Sequence, residues 1–218
     1  MKPIVGVLAL QGGFAKHGAV LESIGARAVE VRTVTDLGRC DALVIPGGES
    51  TVLTKHLMRP DSGPAFGTPW EPLPLWRAIR DFADPARGAG KPVLGTCAGL
   101  IMLSRDCGDV RVRPFDLLPL SVERNAFGRQ TESFIAPVTL TLEGEDAPSE
   151  PYRAVFIRAP RIRAPGEGVN VLATLGGPNR ETEPVMVRRG NVIGLTFHPE
   201  LTPEDTRIHR YFLGLIRN

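Results

Sequence analysis

At 218 residues, 42% hydrophobic and 23% charged, the chain has the makeup of a soluble globular domain long enough to bury a sizeable core. Its 26 basic and 24 acidic residues leave a formal charge of only +2, too little to provide a broad field for nucleic acid or an anionic membrane, and neither partner is implied. Three cysteines, Cys40, Cys97 and Cys107, form no C-x-x-C pair and no even-numbered disulfide framework, which fits a reducing cytoplasm.

The first apolar run, from Ile4 to Leu10, is interrupted by Gly6 and passes into Gln11-Gly12-Gly13 without a cleavage site, so it reads as a buried strand over 3–10 rather than a secretory signal. Phe14 to Ile24 follows with Ala15, Val20, Leu21 and Ile24 at helical spacing. Strands are predicted at 27–34 and 41–46. From Arg59 to Pro74, five prolines and two glycines rule out a helix or a central strand and predict a surface insertion. A covering helix with Leu75, Ile79 and Phe82 on one face and a strand at 91–96 come next. The remaining runs at 134–142, 152–158, 169–175 and 184–197 are joined by Pro- and Gly-containing turns, with a hairpin around Arg189-Gly190-Asn191. The chain closes on a helix from Pro203 to Ile216 that presents Ile208, Phe212, Leu213 and Ile216. Alternating strands and helices, followed by antiparallel strands, predict an α/β fold: a three-layer, open, mixed but mainly parallel sheet flanked by helices, forming one domain over 1–218. No stretch approaches the roughly 20 apolar residues of a membrane span.

The segment Lys91 to Ser104 joins an apolar strand to an apolar helix through Gly95-Thr-Cys97-Ala-Gly99, a nucleophile elbow with sulfur in place of hydroxyl. Glycines on both sides let Cys97 occupy a strained turn, and the start of the helix favours the negative charge of a thiolate. Alone, such a cysteine is commonly just a small buried hydrophobe. Near the other end, Val192-Ile-Gly-Leu-Thr-Phe-His198-Pro-Glu200 reads as a strand that delivers a histidine and a glutamate to its C-terminal edge, where open α/β sheets place their sites. A cysteine nucleophile needs an imidazole to take and return a proton, and that imidazole needs a carboxylate to orient it. Cys97, His198 and Glu200 supply these three parts, whereas His17, His56 and His209 lie on predicted helices and read as surface or packing residues. A third strand ends in Pro46-Gly47-Gly48-Glu49-Ser50-Thr51. The amides of Gly47 and Gly48, with Ala98 beyond the elbow, are oxyanion-hole candidates. A tight turn with Ser50 or Thr51 capping the next helix accounts for the glycine pair equally well.

Together these motifs resemble a class I, triad-type glutamine amidotransferase, a family with a flavodoxin-like sheet. The segments Leu8-Ala-Leu-Gln11-Gly12, Pro46 to Thr51, Gly95 to Gly99, Val122-Glu-Arg124-Asn-Ala-Phe-Gly-Arg-Gln130, Val155-Phe-Ile157-Arg158-Ala-Pro160 and Phe197 to Thr202 are similar, more narrowly, to the glutaminase subunits of pyridoxal 5′-phosphate synthase. That resemblance implies hydrolysis of L-glutamine to L-glutamate and ammonia without a cofactor or metal. It also implies delivery of the ammonia to a synthase subunit within a large hetero-oligomer, for vitamin B6 synthesis. It assigns Cys97, His198 and Glu200 to catalysis, Gly48, Glu49, Ser50, Arg124, Ile157 and Arg158 to glutamine binding, and Gln11 to partner-dependent activation. The 59–74 segment departs from the family by its greater length. A free-standing amidase or peptidase and a non-catalytic docking subunit are the alternatives.

Overall fold

The structure, a computed structural model, describes residues 1–60, 70–124, 133–142, 150–176 and 182–216. The first half forms β1 (Ile4–Leu8), α1 (Phe14–Ser23), β2 (Arg27–Val31), α2 (Val34–Gly38), β3 (Ala42–Ile45), α3 (Ser50–Leu57), β4 (Met58–Pro60), β5 (Trp70–Pro72), α4 (Pro74–Ala83), β6 (Val93–Thr96) and α5 (Ala98–Leu103). The second half forms β7 (Ser104–Asp106), β8 (Leu118–Glu123), β9 (Phe134–Leu140), β10 (Tyr152–Phe156), β11 (Arg161–Arg163), β12 (Asn170–Leu175), β13 (Glu183–Arg189), β14 (Val192–Leu195), a 3-10 turn (Pro199–Leu201) and α6 (Arg207–Gly214).

Nine strands make one mixed sheet in the order β10-β9-β12-β13-β14-β6-β3-β1-β2. From β2 to β14 all neighbours are parallel, and the four strands beyond β14 are antiparallel. The central strands ALVI, VLGT and VIGL are buried at every position because helices cover both faces. Their side chains still alternate. Leu43 and Ile45 enter a core under α3, α4 and α5, whereas Ala42 and Val44 enter a second core, which holds Leu21 of α1 and Ile208 and Phe212 of α6.

This order sets the C-terminal ends of β3, β6 and β14 side by side, with Ile45 opposite Gly95 and Leu195 opposite Thr96. The residues immediately beyond those ends are the Gly47-Gly48 pair, Cys97 and His198. The antiparallel end of the sheet curls back to meet them, for the His198 N–H donates to the Val155 carbonyl of β10 at 2.9 Å and Thr202 Oγ1 donates to Arg153 O at 3.0 Å.

Close helix–strand contact under the elbow depends on Gly99. A Cβ there would stand 2.0 Å from the carbonyl oxygen of Ile45, a backbone atom with little freedom to retreat. Gly99→Ala is expected to cost about 1–3 kcal/mol, as overpacking of a filled core does, and to lower the thermal midpoint. An unchanged melting curve would show that α5 and β3 are not in such close contact.

Several predicted features are corrected. The carboxy-terminal helix begins at Arg207, not Pro203. The intervening residues form a turn in which Asp205 N–H donates to Thr202 O, and Asp205 Oδ1 then accepts from Arg207 N–H at 3.2 Å. The two ends of the 59–74 segment pair as the antiparallel strands β4 and β5, while residues 61–69 lie outside the described ones. Ala15 is exposed, so the buried face of α1 is His17, Val20 and Leu21. The three-stranded sheet β11-β8-β7 and the short α2 were not expected from sequence. The Arg189–Asn191 hairpin is present, with Gly190 at φ 54°. Among the described residues, no helix is long and apolar enough to cross a membrane.

Candidate active site

Cys97 follows β6 directly and starts α5 with φ 50° and ψ −104°, a left-handed conformation that is uncommon for a residue with a side chain. Such strain at a strand-to-helix turn is what an elbow imposes on its nucleophile. The thiol is 7% exposed, and its Sγ donates weakly to the Ile157 carbonyl at 3.8 Å.

His198 and Glu200 sit on the turn after β14. Pro199 holds the turn, which places His198 Nδ1 at 2.7 Å from Glu200 Oε1 with both side chains buried. That contact leaves His198 Nε2, buried and without a hydrogen-bond partner among the described residues, as the nitrogen free for proton transfer. Burial alone would push the imidazole down, but Cys97 and Glu200 outweigh it and hold His198 up at about 10. Burial would likewise raise Glu200, yet His17 and then His198 hold its carboxyl far below the usual carboxylate range. Both directions favour an imidazolium–carboxylate pair.

A cavity of about 120 Å³ opens over Cys97 and His198, sized for a small ligand, and its wall includes Gly48, Glu49, Ser50, Ala98, Ile101, Arg124, Ile157 and Arg158. Every residue that the resemblance assigned to glutamine binding is therefore on this wall. Of the oxyanion candidates, Gly48 and Ala98 line the cavity. Gly47 instead lies beneath the triad, where a Cβ would come within 2.4 Å of His198 Cε1 and 3.3 Å of Cys97 Cβ.

Two clamps shape the wall. The Gln11 side chain bonds Glu49 twice, accepting from its N–H and donating to its carbonyl, both at 3.1 Å. Arg124 donates to Glu49 Oε1 at 2.8 Å and to Asp109. Asp109 is held well below the carboxylate range, first by Arg111 and further by Arg124. The guanidinium carries five N–H donors, so these contacts leave others for a ligand carboxylate. The helix after the glycine pair is capped by Glu49, which accepts from Thr51 N–H at 3.3 Å, and not by Ser50 or Thr51. Ser50 Oγ is buried and has no partner among the described residues. Arg158 is exposed and takes φ 43°, turning the chain just after Ile157. Residues 125–130 of the Arg124 segment lie outside the described ones.

Sequence reasoning missed Ile101, Asp109, Thr96 and His17. Ile101 could have been found, since it stands four residues after Cys97 and thus on the same helical face. Of the three histidines read as surface or packing residues, His56 is exposed and His17 and His209 are fully buried, with His17 Nε2 at 3.2 Å from Glu200 Oε2. Among the described residues no group of His, Cys, Asp and Glu is arranged to hold a metal ion.

The model of the SNO glutamine amidotransferase family matches residues 7–218. The chain belongs to this family. As a glutamine amidotransferase it has full-length relatives. It is 47% identical over 209 residues to the pyridoxal 5′-phosphate synthase subunit PdxT of Pelotomaculum thermopropionicum, a match that covers 96% of this chain and 93% of the relative. It is 45% identical over 216 residues to PdxT of Deinococcus radiodurans, covering 97% and 96%. A crystal structure of a glutamine amidotransferase superposes with a TM-score of 0.78 at 41% identity, over 98% of this chain and 99% of the other.

Proposed function

We propose that this protein hydrolyses L-glutamine to L-glutamate and ammonia, and that it works as the glutaminase subunit of a pyridoxal 5′-phosphate synthase. The observation that carries the reading is the single cavity in which the Cys97 thiol and the His198 imidazole meet the Gly48–Ser50, Arg124 and Ile157–Arg158 segments. The Cys97 thiolate attacks the side-chain amide carbon, and the amides of Gly48 and Ala98 receive the developing oxyanion. Imidazolium His198 protonates the departing nitrogen, which leaves as ammonia. A γ-glutamyl thioester remains on Cys97. Neutral His198 then takes a proton from water, the hydroxide displaces the thiolate, and glutamate is released. Arg124 holds the α-carboxylate, and Gln11 sets the Gly48–Glu49 wall that a partner can influence.

The chain acts as one catalytic domain over 1–218 in the cytoplasm and forms a hetero-oligomer with the synthase subunit, to which the ammonia passes. Names borne by relatives at 41–47% identity support this partner. The test is glutamate release from glutamine with and without purified synthase subunit. Stimulation by the partner is expected. Absence of glutamate release in the mixed sample would overturn the assignment.

A further inference from the structure

Glu200 has two carboxylate oxygens, and the triad uses one. Oε1 faces His198 Nδ1 at 2.7 Å, while Oε2 lies 3.2 Å from His17 Nε2, an ion-pair contact without the alignment of a hydrogen bond, and has no hydrogen-bond partner among the described residues. That nitrogen is also 3.3 Å from Thr96 Oγ1, and the other ring nitrogen, His17 Nδ1, is 3.1 Å from His209 Nε2. His17, Thr96 and His209 are all 0% exposed, so solvent cannot substitute for any member of this chain. Four separate elements converge here: α1, β6, α6 and the turn after β14.

The proton positions follow from the partners. His17 Nε2 faces an anionic oxygen and a hydroxyl oxygen, so it carries the hydrogen, and a neutral His17 must then accept at Nδ1. His209 supplies that hydrogen from Nε2, which leaves its own Nδ1 a bare lone pair. His209 Nδ1 is indeed the buried nitrogen without a partner among the described residues. A bare lone pair there costs less than a stranded N–H. Burial pushes the His209 imidazole down to about 3, in keeping with a neutral ring.

We propose that His17 is a positioning residue of the triad: backed by His209 and tied to Thr96, it holds Nε2 at 3.2 Å against Glu200 Oε2 and so keeps the carboxylate in the orientation that aligns His198. The proposal rests on the reading of Cys97, His198 and Glu200 as the catalytic triad. Without His17, Oε2 would be a buried anionic oxygen facing no donor on that side, and the carboxyl would gain proton affinity and freedom to rotate. The titratable groups that act on Glu200 are His198 on its own turn, His17 on α1, His209 on α6 and Tyr152 on β10, whose phenol burial holds above its usual range and which also feels the Glu200 charge.

The experiment uses the complex with the synthase subunit. His17→Leu keeps apolar volume and removes the donor. Its kcat is expected to fall by about 10- to 100-fold, the range seen when a residue orienting a functional ligand is lost. KM for glutamine should change little, and the acid limb of the kcat–pH profile should move to higher pH. His17→Gln, which can still aim an N–H at Oε2, should recover most of the loss and restore the limb. In the unsubstituted protein, imidazole 15N NMR at neutral pH should report Nε2–H tautomers for His17 and His209, a reading independent of whether a variant folds. Normal kcat and an unmoved limb in folded His17→Leu overturn the proposal, as do equal losses in both variants with an unmoved limb or an Nδ1–H tautomer at His17. Cys97→Ala separates the two levels. Activity in that variant defeats the triad reading itself, whereas a dead Cys97→Ala beside a fully active His17→Leu defeats only the role of His17.

Discussion

Cys97→Ala is expected to abolish glutamate formation, by at least about 10⁴-fold, because no other group at the cavity can form the thioester and triad members act as a unit. The fold should survive, since the thiol's bond to Ile157 O is weak and alanine removes a single buried sulfur. Circular dichroism and a thermal melt would check the fold, and a coupled glutamate assay would check turnover. The same substitution should remove alkylation by iodoacetamide. Burial pushes Cys40 up to about 11 and raises Cys107 as well, which leaves both largely as unreactive thiols at neutral pH. Retained activity in Cys97→Ala would end the assignment of the nucleophile.

Glu200→Gln should be nearly as damaging, with a loss on the order of 10⁴-fold in kcat, as follows when the orienting carboxylate of a triad becomes an amide. The variant can turn an NH₂ toward His198 Nδ1, which forces that nitrogen to accept and places the ring's hydrogen on Nε2, where the thiol needs an acceptor. Stability carries a second signature. Glu200 is depressed in the folded chain, so its contribution is present above its ordinary value of 4.5 and is lost as pH falls below it. His198 is raised, so its contribution is complete below about 6.5 and is lost as pH rises through about 10. Urea unfolding of wild type and Glu200→Gln should therefore differ most at mildly acidic to neutral pH and converge in acid. A constant difference across pH would mean that the pair is not ionised in the native state.

The meeting of Cys97, His198 and Glu200 was legible because each part is local. A strand, a glycine-flanked cysteine and a helix stand in one run, and a strand, a histidine and a glutamate stand in another. The parallel core was legible for the same reason, since strands covered on both faces are apolar throughout. The wall of the cavity was not readable from spacing. Gly48, Arg124 and Ile157 come from three distant segments, and only the family resemblance placed them together. His17 and His209 were read as surface or packing residues, and their full burial picks out the second, which the helical spacing alone could have decided. His17 stands three, four and seven residues before Val20, Leu21 and Ile24, and His209 has the same relation to Phe212, Leu213 and Ile216. Each histidine thus occupies a core position on its helix. The three-residue strands β7 and β11 escaped notice because so short a strand is defined by its partner rather than by its own pattern.

The placement of β14 between β13 and β6 bears on how the protein is made. Cys97 and His198 are neighbours only because a strand near the end of the chain fills a slot in the middle of the sheet. A growing polypeptide can pair β1, β2, β3 and β6 early, since those contacts join segments already synthesised. Cys97 then has no imidazole beside it. The last central strand must enter against the entropy of a long closed loop, a late and slow event for such distant pairing. On the proposed roles of Cys97 and His198, hydrolysis is thereby tied to the arrival of β14, and a chain without that strand is expected to release no ammonia.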